Sequence, residues 1–277
     1  MNRKTIVIAE IGENHIGNWQ LVPSMIQAAA AAGADIVKFQ SYFGADVAAD
    51  DPEREWFTQV QLSNDRHFQF KALAEAAGIE FLSTPFSIER AQFLVEVLGL
   101  RKIKIASSEM LNWGLLDYLN GRVETLFLST GLATLAEIQQ AVAHLDRIPH
   151  LYILQCTTQY PCPEEEANLA VISTLKASFP QHHVGYSDHT LGLLAPVLAV
   201  ALGAEVIEKH LTLDKSLPGT DHILSVTPTE LAQLVAQIRS TETLLGGAEK
   251  QPTANEAQIR AFVRNRFPKV PAPTTAV

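Results

Sequence analysis

Cysteine is nearly absent from this chain: two residues in 277, Cys156 and Cys162. Two cysteines cannot frame a disulfide-stapled fold, and no CxxC spacing points to zinc or thiol redox chemistry. Such usage suits a reducing compartment, the cytoplasm by default. Basic residues are also in deficit, 21 Lys and Arg against 30 Asp and Glu, for a net charge of −9. That argues against nucleic acid or an anionic membrane as the main partner, since neither would meet a basic patch. Long hydrophobic runs are missing too. The longest uncharged apolar stretch, residues 191–204, is shorter than the ~18–20 residues that span a bilayer. It contains Gly192, Pro196 and Gly203, and reads as a buried helix. Glu10 interrupts the first apolar run before a signal-peptide core could form. No GxGxxG follows that run, which weakens a dinucleotide-binding open sheet.

What remains is globular: 47% of residues are apolar and 18% charged, a composition that can bury a sizeable core. Periodicity alternates between strand and helix along the chain. Strands are expected at 5–11 (TIVIAEI), 35–40 (DIVKFQ), 79–84 (IEFLST), 102–106 (KIKIA), 124–129 (ETLFLS), 151–155, 184–187 and 205–209 (EVIEK). Helices are expected at 19–32, capped by Asn18 and ended by Gly33, and at 65–77, 87–98, 111–119, 135–145, 169–179, 190–202 and 229–245. Strict alternation implies a parallel sheet with helices outside it. Eight such units imply an α/β fold closed as a (β/α)8 TIM barrel. The expected organisation is one catalytic barrel over 1–250 and a C-terminal extension over 251–277, its Pro- and Thr-rich end (269–277) fraying. Two long irregular stretches, 41–64 and 211–228, are the expected lids or binding loops.

In such a barrel the site lies at the C-terminal ends of the strands, and polar residues gather there. Glu10, Asn14 and His15 follow strand one; Lys38 and Gln40 end strand two; Thr84 ends strand three. Lys104 and Ser107 belong to strand four, Ser129 to strand five, Cys156 and Tyr160 to strand six, Ser187 and His189 to strand seven, Glu208 and His210 to strand eight. Side chains two apart share a face, which groups Ile6, Ile8 and Glu10, then Ile36, Lys38 and Gln40, then Glu208 and His210. A lysine inside a barrel is costly unless paired. Lys38 and Lys104, with hydroxyls from Thr84, Ser107 and Ser187, suit a phosphate dianion, against the alternative that they snorkel outward between helices. Of nine histidines, His189 and His210 end adjacent strands and can share a divalent metal. His15 and His222 are expected to be structural. Glu10, Asp188, Glu208 and Asp221 add charge near that metal, although Asp188 reads better as a cap for the helix that follows. The turn over 215–222 would swing Asp221 back over the mouth.

Read together, these segments resemble the sialic acid synthase family, phosphoenolpyruvate-dependent condensing enzymes that make N-acetylneuraminate and related nonulosonic acids. The resemblance is carried, in the family's order, by IAEIGENHIGN (8–18), VKFQ (37–40), STPFS (83–87), KIASSE (104–109), STG (129–131), CTTQYPCP (156–163), GYSDHT (185–190), EKHLTLD (208–214) and PGTDH (218–222). It implies a barrel that joins phosphoenolpyruvate to an N-acetylmannosamine-like aldose and releases phosphate. The implied phosphoenolpyruvate contacts are Lys38, Thr84, Lys104, Ser107, Tyr160 and Ser187; the implied metal ligands, for Mn2+ or Mg2+, are His189 and His210. Gln40, Tyr160 and Asp221 fall on the sugar side, and Glu10, Asp221 and Glu208 on acid–base roles. A homodimer is implied as well. Thr158 stands where the family sometimes has Asn. The residues after the last helical segment are too few for the family's C-terminal antifreeze-like domain, so a barrel-only chain is expected. Competing readings are a 3-deoxy-ulosonate synthase that takes a phosphorylated aldose, a Schiff-base aldolase using Lys38, Lys104 or Lys209, and a non-catalytic sugar- or phosphate-binding barrel.

Overall fold

The computed structural model describes residues 4–267. Its β-branched and apolar runs form eight strands: β1 (Ile6–Gly12), β2 (Ile36–Ser41), β3 (Glu80–Pro85), β4 (Lys102–Ile105), β5 (Thr125–Ser129), β6 (His150–Cys156), β7 (His183–Asp188) and β8 (Val206–His210). Neighbours are parallel in the order β3-β2-β1-β8-β7-β6-β5-β4. The two end strands, β3 and β4, pack against each other, so the sheet curls into a nearly closed barrel. Parallel neighbours need crossover connections, and helices supply them: α1 (Val22–Ala31), α2 (Arg54–Val60), α3 (Asn64–Ala76), α4 (Ile88–Gln92), α5 (Trp113–Leu119), α6 (Leu135–His144), α7 (Val171–Ser178), α8 (Leu194–Ala201) and α9 (Pro228–Leu245). This is the (β/α)8 barrel that the alternation implies. The barrel unit runs to Leu244, and a small second unit begins at Leu245.

Several local expectations are corrected. Asn18 caps no helix: its side chain accepts from Gln20 N–H in a turn, and α1 starts at Val22 with Pro in its first turn. The stretch 41–64 is not irregular throughout, since it holds α2, too short for periodicity to reveal. The helix expected over 87–98 is α4, capped by Ser87, continued by a π-helical turn over Phe93–Val97. The apolar stretch over 191–204 is only half buried: α8 hides Pro196, Ala199 and Val200 but leaves Leu194 and Leu198 exposed. Among the described residues no helix is long and apolar enough to cross a membrane. The second unit contains α10 (Ala254–Arg264), started by a Thr253–Glu256 capping box that the sequence reading passed over. The end expected to fray, 269–277, lies outside the described residues.

Strand parity decides what points inward. Ile8, Ile36, Leu82, Phe127, Tyr152, Leu154 and Val206 pack together inside the barrel, while the opposite faces, such as Val7, Val37, Phe39 and Ile207, pack outward under the helices. On β7 the inner position is Gly185, because a Cβ there would stand 2.2 Å from Val206 Cγ1 and 2.7 Å from the Val206 carbonyl. Above this apolar plug each strand contributes one polar inner residue: Glu10, Lys38, Thr84, Lys104, Ser129, Cys156, Ser187 and Glu208. Neighbouring strands bring several of them level, with Glu10 opposite Lys38 and Ser187 opposite Glu208.

Candidate active site

A cavity of about 400 Å³ opens above that polar tier, at the C-terminal ends of the strands. Glu10, Lys38, Gln40, Thr84, Lys104 and Ser107 line it, and so do Tyr160, Ser187, His189, Glu208, His210 and Asp221. The residues to which the resemblance assigns substrate, metal or acid–base roles therefore all line one cavity, whereas Asn14, His15, Asp188 and His222 do not.

Its floor is a network of buried charge. Glu208 sits between the lysines, with Oε2 3.6 Å from Lys38 Nζ and Oε1 3.5 Å from Lys104 Nζ. Lys38 also lies 2.9 Å from Glu10 Oε1 and donates to Thr84 Oγ1 at 3.2 Å. Ser187 Oγ donates to Glu208 at 3.0 Å. The snorkelling alternative fails: both lysines are only 3% exposed and point inward. The two carboxyls are driven apart. Burial pushes Glu10 up to about 7, against the pull of Lys38. Burial acts the same way on Glu208, but Lys104, Lys38 and His210 outweigh it and hold that carboxylate at about 2. Burial presses on Lys38 as well, yet Glu10 and Glu208 more than reverse it and keep the ammonium charged. Lys104 is pushed down by burial, with Lys38 adding to the effect and Glu208 opposing it.

The imidazoles stand on one side of this floor. The His189 and His210 rings are 5.5 Å apart, and Tyr160, preceding a cis proline bond, lies 4.0 Å from the His189 ring. His189 Nδ1 donates to the Thr157 carbonyl at 2.8 Å. A carbonyl only accepts, so in the neutral ring the proton sits on Nδ1 and the Nε2 lone pair is the one a metal would use. Burial pushes His210 down to about 4, which keeps its ring neutral. Its Nδ1 is buried without a hydrogen bond, 3.5 Å from Asp221 Oδ2. Burial presses the His189 ring toward neutrality, but Cys156 and the Thr157 carbonyl more than offset it and raise its affinity for a proton, which a metal would displace. In their neutral forms the two imidazoles suit a divalent cation with water or substrate oxygens completing the shell. Among the described residues no cluster of three or more His, Cys, Asp or Glu is arranged to hold one.

Other assignments change. Asp188 is not a charge at the mouth and caps no helix. It faces the outer side of the barrel, fully buried, where Lys209 Nζ donates to its Oδ2 at 2.7 Å. Its Oδ1 accepts from Tyr186 Oη, Thr190 N–H and Thr190 Oγ1. This parity also removes Lys209 as a Schiff-base lysine for the cavity. His15 stacks on Trp19 and accepts from Gly17 N–H, and His222 bonds Thr212 Oγ1; neither lines the cavity, as expected. Cys156 does line it, with Sγ 3.9 Å from His189 Nδ1. Thr158 lines it too, closing against Gly131, where a Cβ would stand 2.2 Å from Thr158 Oγ1.

The sequence reading missed the rim. Glu13, Glu53, Trp56, Phe57 and Phe86 complete the wall on the side of Asp221. Glu13 accepts from Tyr42 Oη at 2.8 Å and from Trp56 Nε1 at 2.7 Å, tying α2 to β1. Burial pushes its carboxyl up to about 7, the two donors oppose that, and Asp221 and Glu53 reinforce it. The folded state thus holds this proton more tightly than the unfolded chain. Its contribution to stability is complete below the ordinary value of 4.5 and is lost as pH rises through about 7. Glu13→Gln is expected to flatten the fall of unfolding free energy between those pH values, read from urea titrations at several pH. An unchanged slope would remove Glu13 as its source.

Comparison with known proteins agrees with this geometry. Residues 25–250 match the NeuB family. An N,N'-diacetyllegionaminic acid synthase of Legionella pneumophila is 41% identical over 93% of this chain and 78% of its own length. A mouse N-acetylneuraminate-9-phosphate synthase is 34% identical over 97% of this chain and 80% of its own. The crystal structure of an N-acetylneuraminic acid synthetase from Leptospira borgpetersenii superimposes with a TM-score of 0.90 at 36% identity, covering 95% of this chain and 92% of that one. The chain is an enzyme of the synthase type and belongs to the NeuB family.

Proposed function

We propose that this cavity joins phosphoenolpyruvate to the aldehyde carbon of an N-acetylmannosamine-like aldose, giving a nonulosonic acid and inorganic phosphate. One observation carries the reading: two buried lysines bridged by a single carboxylate share a cavity with a pair of imidazoles. The lysines, with Thr84, Ser107 and Ser187, would hold the phosphate and carboxylate of phosphoenolpyruvate through charge-assisted bonds. Its C3 forms the new C–C bond to the aldehyde, and the positive charge left at C2 is quenched by water. Glu10, poised near neutrality, suits the removal of that water's proton. Cleavage of the C2–O bond then releases phosphate, whose developing charge the lysines offset. Gln40, Tyr160 and Asp221 lie where the sugar would be oriented. His189 and His210 would hold Mn2+ or Mg2+, which when bound supplies Lewis-acid polarisation of the aldehyde. The relatives are named for products with and without a phosphate, which leaves the charge of the acceptor open.

The test is phosphate release from phosphoenolpyruvate with a panel of aldoses. Release that requires an aldose, stops in chelator and returns with Mn2+ is the expected result. Full activity in chelator, or in His189→Ala, would reject the metal pair; no release with any aldose would reject condensation. A Schiff-base aldolase is the second reading, favoured by one observation: Lys104 is pushed toward its neutral form. Covalent trapping of pyruvate by borohydride would select it.

A further inference from the structure

We infer that Asp188 and Lys209, buried behind the cavity wall, are positioning residues for the two imidazoles: their ion pair sets how His189 stands relative to His210, and so how tightly the two hold a divalent cation. This rests on the metal pair of the proposed function and concerns what lies behind it. Asp188 and Lys209 are direct partners in the β7–β8 register. Their side chains are wholly buried on the outer side of the barrel. The residues that follow them, His189 and His210, line the cavity on the inner side, as alternation along a strand requires. The β7–β8 ladder ends at this pair, so His189 stands one residue beyond its last rung. His210 is still within β8, in register with Glu10 on β1. One imidazole is therefore seated on the sheet and the other lies past its end.

What replaces the ladder is a clasp around residue 189. Asp188 Oδ1 accepts from Thr190 N–H at 2.9 Å and from Thr190 Oγ1 at 2.8 Å. Lys209 Nζ donates to Asp188 Oδ2 at 2.7 Å and also to the Thr190 carbonyl. Both chain neighbours of His189 are thereby tied to one ammonium on β8. On the other flank, Cys162 N–H donates to the His189 carbonyl at 2.9 Å. The bond from Nδ1 to the Thr157 carbonyl fixes the rotation of the ring, while the clasp fixes its backbone against the strand that carries His210. Stability alone does not account for charges here. An apolar pair of similar volume would often hold two strands as firmly, but apolar burial is non-directional. Directional bonds specify a spacing, and removing outer groups that orient metal ligands typically costs ~10–100-fold in metal affinity.

The experiment is titration of the protein with Mn2+ alone, read by calorimetry, beside urea unfolding of the same samples. Asp188→Asn with Lys209→Met removes the tie to β8 without stranding a buried charge. Its Kd for Mn2+ is expected to rise about tenfold or more over the parent even where its stability is largely regained, and Lys209→Met alone should share that rise. Tyr186→Phe is the counterpart: it deletes a donor to Asp188 Oδ1 but leaves the clasp in place. It should lower stability and keep the Kd close to the parent's. A smaller rise in the double variant overturns the inference. So does a Tyr186→Phe protein that loses Mn2+ as badly as the double variant, because lost stability and not lost spacing would then be the cause. A parent that binds no Mn2+, or binding that survives His189→Ala, is a separate failure: it removes the metal pair itself, and the positioning role with it.

Discussion

Lys38→Met is expected to raise the KM for phosphoenolpyruvate by two to three orders of magnitude. The reason is additive in charge. A hydrogen bond to a charged group contributes about 1.5–3 kcal/mol net, and this ammonium would make more than one to a polyanion. A loss of ~3–4 kcal/mol corresponds to roughly 10²–10³ in affinity. The variant also leaves Glu10 and Glu208 beside no ammonium but Lys104, so stability should fall as well. The two effects are separated by measuring initial rates below the unfolding transition and unfolding by urea. A KM that stays within threefold of the parent, in folded protein, would take Lys38 out of the phosphoenolpyruvate seat.

Lys209→Met should cost about 3–5 kcal/mol of folding free energy, the usual loss when one partner of a buried ion pair is removed. Both side chains of the Asp188–Lys209 pair are fully inaccessible. Methionine fills the space but strands the carboxylate, which would keep only Tyr186 and Thr190 as donors. Asp188→Asn added to Lys209→Met keeps an acceptor for those donors and removes the stranded charge, so the double variant should regain half of the loss or more. Urea unfolding of the three proteins decides it. A single-variant loss below 1 kcal/mol, or a double variant no better than Lys209→Met, would show that the pair does not hold β7 to β8.

How much of this was legible in the sequence depends on what each residue's position owed to its neighbours. The strand floor was readable because a period of two is local. Once Ile6 and Ile8 are inside, Glu10 must be inside, and the same holds for Lys38 above Ile36 and for His210 above Glu208. Asp188 went wrong for the same reason that it mattered. Its partner is twenty-one residues away in sequence, and nothing near residue 188 announces a buried ammonium, whereas a Ser-Asp before an apolar run imitates a helix cap. Glu13 carries the motif's acidic pattern, but its role follows from Trp56, which sits on a helix of seven residues. Two turns leave no amphipathic signature, so the rim stayed invisible. The half-exposed α8 failed on composition: an uncharged run looks buried whether or not anything covers it.

The short helix α2 sits in the connection between β2 and α3, held by the Glu13–Trp56 hydrogen bond, by the edge contact of Phe57 with Tyr42 and by buried Val60. The polar floor, by contrast, is spread across all eight strands, so an insertion or deletion that reached it would disturb the barrel itself. Exchanging residues 44–61 among relatives should therefore act like changing a die in a press: the stroke stays the same while the shape of the piece it accepts is replaced.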